Sequence, residues 1–204
     1  MQLESPLPTI LDIISRYGQN NHSPIPILLN PAPAPPTPLP AWIYPYIYIL
    51  VLNETEATIL SGHSPPAEFF ISLGCPNVII TLGASGAIYL CSHPSFTSIK
   101  PAGREVYPTI RKAHIPAAPI PTPQGEVVDT TAAGDTFIGA LAVSLVQSWA
   151  EIDASASHEH GNRTRDPEAG IEALDKGVHF AALAAAWTVA RKGTWDAMPR
   201  REDL

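Results

Sequence analysis

Twenty-three prolines in 204 residues, about twice the usual share, set the first limit on what this chain can become. Proline lacks a backbone N–H and has a fixed φ, so it interrupts helices and sheet ladders alike. The prolines crowd into residues 24–45 and 108–123. Regular structure must be assembled from the windows between them, and the run PAPAPPTPLP (31–40) reads as an extended connector.

Those windows alternate between two patterns. Short apolar, β-branched or aromatic runs at Ile25–Asn30, Tyr46–Leu52, Asn77–Leu82 and Ala87–Leu90 have the length and residue types of buried strands, and Val127–Val128 reads as a strand end. The turn GASG joins the third run to the fourth. Helical spacing fills the other windows. Over residues 5–17, Ser5 is the expected N-cap, and Ile10, Ile13, Ile14 and Tyr17 share a face. Glu54–Leu60 forms a turn or two, and Gly134–Trp149 carries Phe137, Leu141 and Leu145 on one side. Glu168–Arg191 is alanine-rich in its second half, with Gly193 where a terminating glycine belongs. Residues 92–125 suggest hairpins or loops, and 151–167 (EIDASASHEHGNRTRDP) read as a flexible polar loop. Strands alternating with helices indicate a single α/β domain over 1–204, built on a mostly parallel sheet. In such folds ligands bind beyond the carboxyl ends of the strands.

Charge and composition narrow the partners. The formal net charge is −7, and no basic cluster occurs, which argues against a nucleic-acid or anionic membrane surface. The longest apolar runs, 41–52 and 178–190, are too short for a membrane-spanning helix. Residues 1–8, MQLESPLP, carry an acid and two prolines where a secretory leader would be basic. A soluble protein of the cytoplasm, or also of the nucleus, is the expectation. Cys75 and Cys91 lie in apolar surroundings without metal spacing; they could pair, but two buried thiols are the preferred reading. His158 and His160 lack further ligands at metal spacing.

The chemistry concentrates in Asp129–Phe137, DTTAAGDTF, which opens the helix that runs to Trp149. Ala132, Ala133 and Gly134 are small enough for a ligand to reach their backbone, at the positive end of a helix, which makes an anion site. Asp135 stands in the same turn and could take the proton of an attacking hydroxyl while the amides stabilise phosphoryl charge. A carboxylate in a first turn also stabilises the helix by itself. Two small residues, a glycine and two acids six apart favour the chemical reading.

DTTAAGDTF resembles the C-terminal signature of the ribokinase family, within the phosphofructokinase-B superfamily of sugar and nucleoside kinases. MQLESPL, LNPAPA, LNETEATILSG, VIITLGASGAIY and FAALAAAWTVARKG followed by MPRRED resemble further blocks of that family, in the same order. The resemblance implies a three-layer αβα ribokinase-like fold. The blocks correspond to its C-terminal, ATP-binding part, without the N-terminal strands, the β-lid or the GGKGAN-type sugar motif. The implied reaction moves the γ-phosphate of ATP to the 5-hydroxyl of D-ribose, with Mg²⁺ and a monovalent activator, usually K⁺.

Residue roles follow from the same resemblance. It makes Asp135 the base, in contact with sugar and ATP, and Ala132, Ala133 and Gly134 the anion hole, with Gly134 also in contact with ATP. Glu4 would contact ribose, and Asn53 the nucleotide phosphates, while Glu56 would act on Mg²⁺ through water. Thr81, Leu82, Gly83, Ala84, Ser85 and Gly86 would line the ATP site. Asp129, Thr131 and the carbonyls of Thr188, Arg191 and Gly193 would hold K⁺. Without the resemblance, NETE is simply a helix start with acids in its first turn, and TLGASG a turn between strands. The sequence departs from the family pattern at Ala182, often Asn or His there, and at Ala197, often Ser. Full-length relatives are expected to be homodimers. For these residues alone, weak ATP affinity and little ribose phosphorylation are expected; the alternative is a non-catalytic protein that binds nucleotide or a partner protein.

Overall fold

The computed structural model describes residues 1–2, 4–18, 25–99, 106–155 and 167–204. They form two compact units, one of residues 1–83 and 87–114, the other of residues 84–86 and 115–204. The pair His158 and His160, and residues 156–166 of the expected polar loop, lie outside the described residues.

The first unit is built on a mixed sheet of five strands in the order β1 (Leu28–Leu29), β2 (Ile49–Asn53), β3 (Asn77–Thr81), β4 (Ala87–Ile99) and β5 (Val106–Ile115). β1, β2 and β3 run parallel, and β4 pairs antiparallel with β3 because the short turn at 83–85 reverses the chain. The expected mostly parallel sheet is thus parallel only as far as β3. Ile49, Leu50, Val51 and Leu52 are all buried, as a strand covered on both faces requires. Leu50 and Leu52 join the core that Ile10 and Ile14, Ala57 and Leu60, and Ala67 and Phe70 complete. Those pairs come respectively from α1 (Leu7–Ile13) with the turn after it, α2 (Glu54–Ser61) and α3 (Pro66–Ser72).

Several boundaries differ from the sequence reading, each for a local reason. Pro6, not Ser5, precedes α1, and no side chain caps it. Ile25 is exposed and β1 is only two residues long. Pro26 has no N–H to give a ladder, while the Ile27 carbonyl accepts from Tyr48 and Ile49. Residues Ala41–Tyr46 form 3-10 turns around Pro45, so β2 starts at Ile49 rather than Tyr46. Cys75 and Cys91 are both buried, unpaired thiols; burial pushes them up to about 12 and about 11.

The second unit is dominated by α4 (Ala133–Ser155) packed on α5 (Pro167–Val189). Phe137, Leu141 and Leu145 are buried along α4, as their spacing requires. Against them α5 presents small residues. A Cβ added to Gly177 would sit 3.0 Å from Leu141 Cδ1, which is why the helices approach closely there. Helix continues through Glu151–Ser155 and restarts at Pro167, so the two ends of the expected 151–167 loop are helical. Proline suits that restart because a first-turn N–H has no intrahelical partner. Among the described residues no helix is long and apolar enough to cross a membrane, and no three His, Cys, Asp or Glu side chains cluster as metal ligands.

Candidate active site

Val127 and Val128 are exposed rather than part of a strand. The N–H groups of Val128 and Asp129 instead donate to the Val189 carbonyl at the end of α5, at 2.8 and 3.3 Å. This fixes the segment beside the C-terminus of one long helix and immediately ahead of the next.

Asp129 then organises the loop. Its Oδ1 accepts from the Thr131 N–H at 2.9 Å and from the Thr131 hydroxyl at 2.7 Å, an Asx turn closed twice. Its Oδ2 accepts from the Gly193 N–H at 3.1 Å, which ties the loop before α4 to the one after α5. The Thr131 hydroxyl, the Thr131 N–H and the Gly193 N–H hold the Asp129 carboxyl down at about 2. Thr131, Gly193 and Asp129 are therefore brought together. Arg191 N–H donates to the Thr188 carbonyl at 3.2 Å, so the last turn of α5 supplies backbone oxygens next to this knot. The Arg191 guanidinium lies 5.1 Å above the Trp187 ring.

Next comes the turn that delivers the small residues. The Ala133 N–H donates to the Thr130 carbonyl at 3.3 Å, and Ala132, inside that turn, has φ +62°. Left-handed backbone is where glycine or asparagine normally stands, and an alanine there costs on the order of 1 kcal/mol. The Ala132 carbonyl accepts from the Thr136 N–H at 2.9 Å, the first bond of α4. Gly134 and Asp135 follow, both exposed, in the first turn of a helix of 23 residues.

Two glycines of the sequence motifs serve different ends. Gly86 has φ +90°, and a Cβ there would come within 2.1 Å of the Ile115 carbonyl oxygen, so the fold itself demands glycine. Gly134 is helical, and a Cβ there would meet nothing within 4 Å. Neither packing nor backbone angle calls for a glycine at 134, although it weakens the helix by up to about 1 kcal/mol relative to alanine. What it leaves is bare backbone at the positive end of α4 beside the Asp135 carboxylate.

In the first unit, Asn53 and Thr81 are register partners at the carboxyl ends of parallel strands β2 and β3. Asn53 Oδ1 accepts from the Glu56 N–H at 2.8 Å and Glu56 Oε2 from the Asn53 N–H at 2.9 Å, a complete capping box on α2. Glu56 is buried, and one of the roughly four acceptor sites of its carboxylate is spent on the cap. Leu82 and Gly83 continue beyond β3, while Ala84, Ser85 and Gly86 cluster with the second unit. Glu4 is exposed, just beyond the bridge from Gln2 to Asn30 on the edge of β1.

The model of the pfkB family carbohydrate kinases matches residues 1–201. The chain belongs to this family. The Staphylococcus aureus (strain COL) ribokinase is 31% identical over 214 residues, spanning 100% of this chain and 53% of that protein. Other curated relatives are named deoxyribokinase and aminoimidazole riboside kinase. Among solved structures, the Thermotoga maritima ribokinase superposes with a TM-score of 0.65 at 28% identity, over 99% of this chain and 53% of that one. The Giardia lamblia ribokinase gives a TM-score of 0.72 at 25% identity, over 100% and 57%. The fold is therefore the ribokinase-like αβα fold, and this pfkB chain spans about half the length of the curated relatives it matches.

The sequence missed two features of the site. One is the left-handed Ala132, which no residue type announces. The other is a buried hydroxyl contact between Thr136 and Thr188, 52 residues apart; the signal available was a polar residue within the small, apolar stretch FAALAAAWTV of α5.

Proposed function

We propose that this pfkB chain carries the phosphate-handling and nucleotide-handling part of an ATP-dependent sugar kinase, with D-ribose as the acceptor. The observation that carries the reading is Gly134, a glycine that neither packing nor φ explains, at the head of α4 beside an exposed carboxylate. Bare amides there would hold the transferring phosphoryl group. The ribose 5-oxygen attacks the γ-phosphorus, the bond to the bridging oxygen breaks, ADP leaves, and the hydroxyl proton passes to Asp135. Because the transition state is loose, most of the gain comes from positioning and from charge stabilisation by the turn at 132–134.

Ribose is preferred because the blocks MQLESPL and LNPAPA resemble those of ribokinases; relatives named ribokinase match all of the chain, as do those named deoxyribokinase, and the Arabidopsis thaliana ribokinase is known in complex with ribose and ATP. Asn53 and the segment Thr81–Gly86 would serve the nucleotide, and Glu4 the sugar. The donor types suit the ions that accompany such chemistry: the Glu56 carboxylate keeps acceptor capacity beyond its capping bond, and Asp129 and Thr131 carry oxygens to which the family resemblance adds the main-chain carbonyls of Thr188, Arg191 and Gly193. Mg²⁺ would neutralise phosphate charge near Glu56 through a water, and K⁺ would brace the loop at 129–131.

Calorimetric titration with Mg·ATP, followed by a coupled ribose-dependent assay on the wild type and Asp135→Asn, tests this directly. Saturable, weak Mg·ATP binding with a low turnover that disappears in Asp135→Asn supports it; robust turnover that depends on Asp135 also supports the kinase reading and overturns the expectation of little phosphorylation. Equal turnover in the two proteins removes Asp135 from the chemistry, and absence of any Mg·ATP binding overturns the reading. Binding without turnover would leave a nucleotide-binding protein.

A further inference from the structure

Thr188 is fully buried, and its hydroxyl lies 3.0 Å from the Thr136 hydroxyl and 3.1 Å from the Ala184 carbonyl oxygen. A hydroxyl has one proton to give, so both contacts cannot be donations from Thr188. One arrangement satisfies both: Thr188 donates to Ala184, one turn back along α5, and Thr136 donates to Thr188. Thr136 is the fourth residue of α4, directly after Asp135, and is itself buried. Its N–H donates to the Ala132 carbonyl at 2.9 Å. It is thus held at two points, by backbone to the strained residue of the turn and by side chain to α5.

From this geometry we propose that Thr188 is a positioning residue for the phosphate-binding turn, acting through Thr136. The inference rests on the kinase reading above. Ala132 at φ +62° is unfavourable, and such a conformation persists only where its surroundings over-determine it. The Asp129 knot restrains the turn from the loop side, and the hydroxyl pair restrains it from the helix side. Loss of the pair frees the first turn of α4 to drift, and with it the amides of Ala133 and Gly134 and the Asp135 carboxylate. The Thr188 side chain is fully buried, so it acts on the turn through Thr136.

The test compares Thr188→Val, which keeps the shape and removes the hydroxyl, with Thr188→Ser, which keeps the hydroxyl. Two readouts are taken: Mg·ATP affinity by calorimetry, and hydrogen exchange of the 133–136 amides without ligand. Thr188→Val should weaken Mg·ATP binding roughly 3- to 10-fold, the worth of one buried hydrogen bond, and speed exchange of those amides by a similar factor. Thr188→Ser should stay near the wild type in both; the oxygen assigned to K⁺ at this position is the main-chain carbonyl, which both variants keep. Adding Ala132→Gly to Thr188→Val should restore affinity, because glycine holds the left-handed turn without strain; a role confined to packing would not respond. The proposal is overturned if Thr188→Val matches the wild type in affinity and exchange, if Thr188→Ser is as impaired as Thr188→Val, or if Ala132→Gly restores nothing. Should the wild type bind no nucleotide, the kinase reading falls, and the exchange comparison still decides whether the hydroxyl pair holds the turn.

Discussion

Replacing Gly134 with alanine should make the protein more stable and a poorer binder of nucleotide. Position 134 is helical, and the added methyl meets no atom within 4 Å. The helix therefore gains up to about 1 kcal/mol in propensity without a steric cost, nearer half of that in a first turn. For a chain of this size 1 kcal/mol moves the thermal midpoint by about 2–4 °C, so a rise of about 1–3 °C is expected. Binding responds in the opposite direction. In a helix the Cα–Cβ bond leans toward the N-terminus, so the new methyl flanks the approach to the amides at the head of α4. A phosphate oxygen must come within about 3 Å of an N–H to bond to it. Loss of one hydrogen bond to a charged group removes about 1.5–3 kcal/mol, roughly a tenfold to hundredfold weaker Kd for Mg·ATP. Differential scanning calorimetry and isothermal titration on the same preparations read both effects. A Gly134→Ala protein that is less stable would show that the glycine serves the fold, and unchanged Mg·ATP affinity would show that no phosphate lies against it.

Three further predictions separate structural from chemical roles. Asp129 has a folded pKa of about 2, below its ordinary 3.8, so the stability it lends is present above about pH 4 and is lost as pH falls toward 2. Thermal midpoints measured from pH 5 to pH 2 should therefore fall more steeply for the wild type than for Asp129→Ala, and parallel curves would exclude the knot as the cause. Glu56→Gln keeps an acceptor for the Asn53 N–H and so preserves the capping box; its thermal midpoint should hold while the Mg²⁺ concentration needed for half-maximal ATP binding rises, and an unchanged Mg²⁺ requirement would leave Glu56 a cap alone. Leu141→Ala empties a fully buried position between α4 and α5, and urea unfolding should report a loss of about 2–5 kcal/mol; a loss below 1 kcal/mol would mean that the helix interface closes over the gap.

How far the sequence could be read depended on the range of the interactions involved. β2 and β3 were visible because strands buried on both faces need unbroken apolar residues, as in Ile49–Leu52 and Val78–Ile80. The turn at 129–137 was visible because the phosphoryl chemistry proposed for it calls for small residues beside an acid, and these fall within nine positions. α3 went unread, since PAEFFIS is too short for a periodic signal and takes its helical state from Ala67 and Phe70 in the core. Val127 and Val128 read as a strand end, whereas the N–H of Val128 is spent on the carbonyl of Val189, 61 positions later. Thr136 and Thr188 form no recognisable pattern in sequence, and only the packing of α4 on α5 brings their hydroxyls together.

Positions 132 and 134 show why a local rule that fails is informative. For stability alone, the left-handed site at 132 calls for glycine and the helical site at 134 calls for alanine. The chain has the reverse at both, with a combined penalty of up to about 2 kcal/mol. Fold stability offers no reason to keep such a pair two residues apart, at the head of a long helix, beside an exposed acid and between two separate restraints. A ligand that must touch bare backbone at 134, on a turn held rigid from 129 to 136, does offer one. The same reasoning joins Asp129 and Thr188 under the proposed reading: each ties a different side of this turn to the C-terminal end of α5, and together they keep an unfavourable backbone in place.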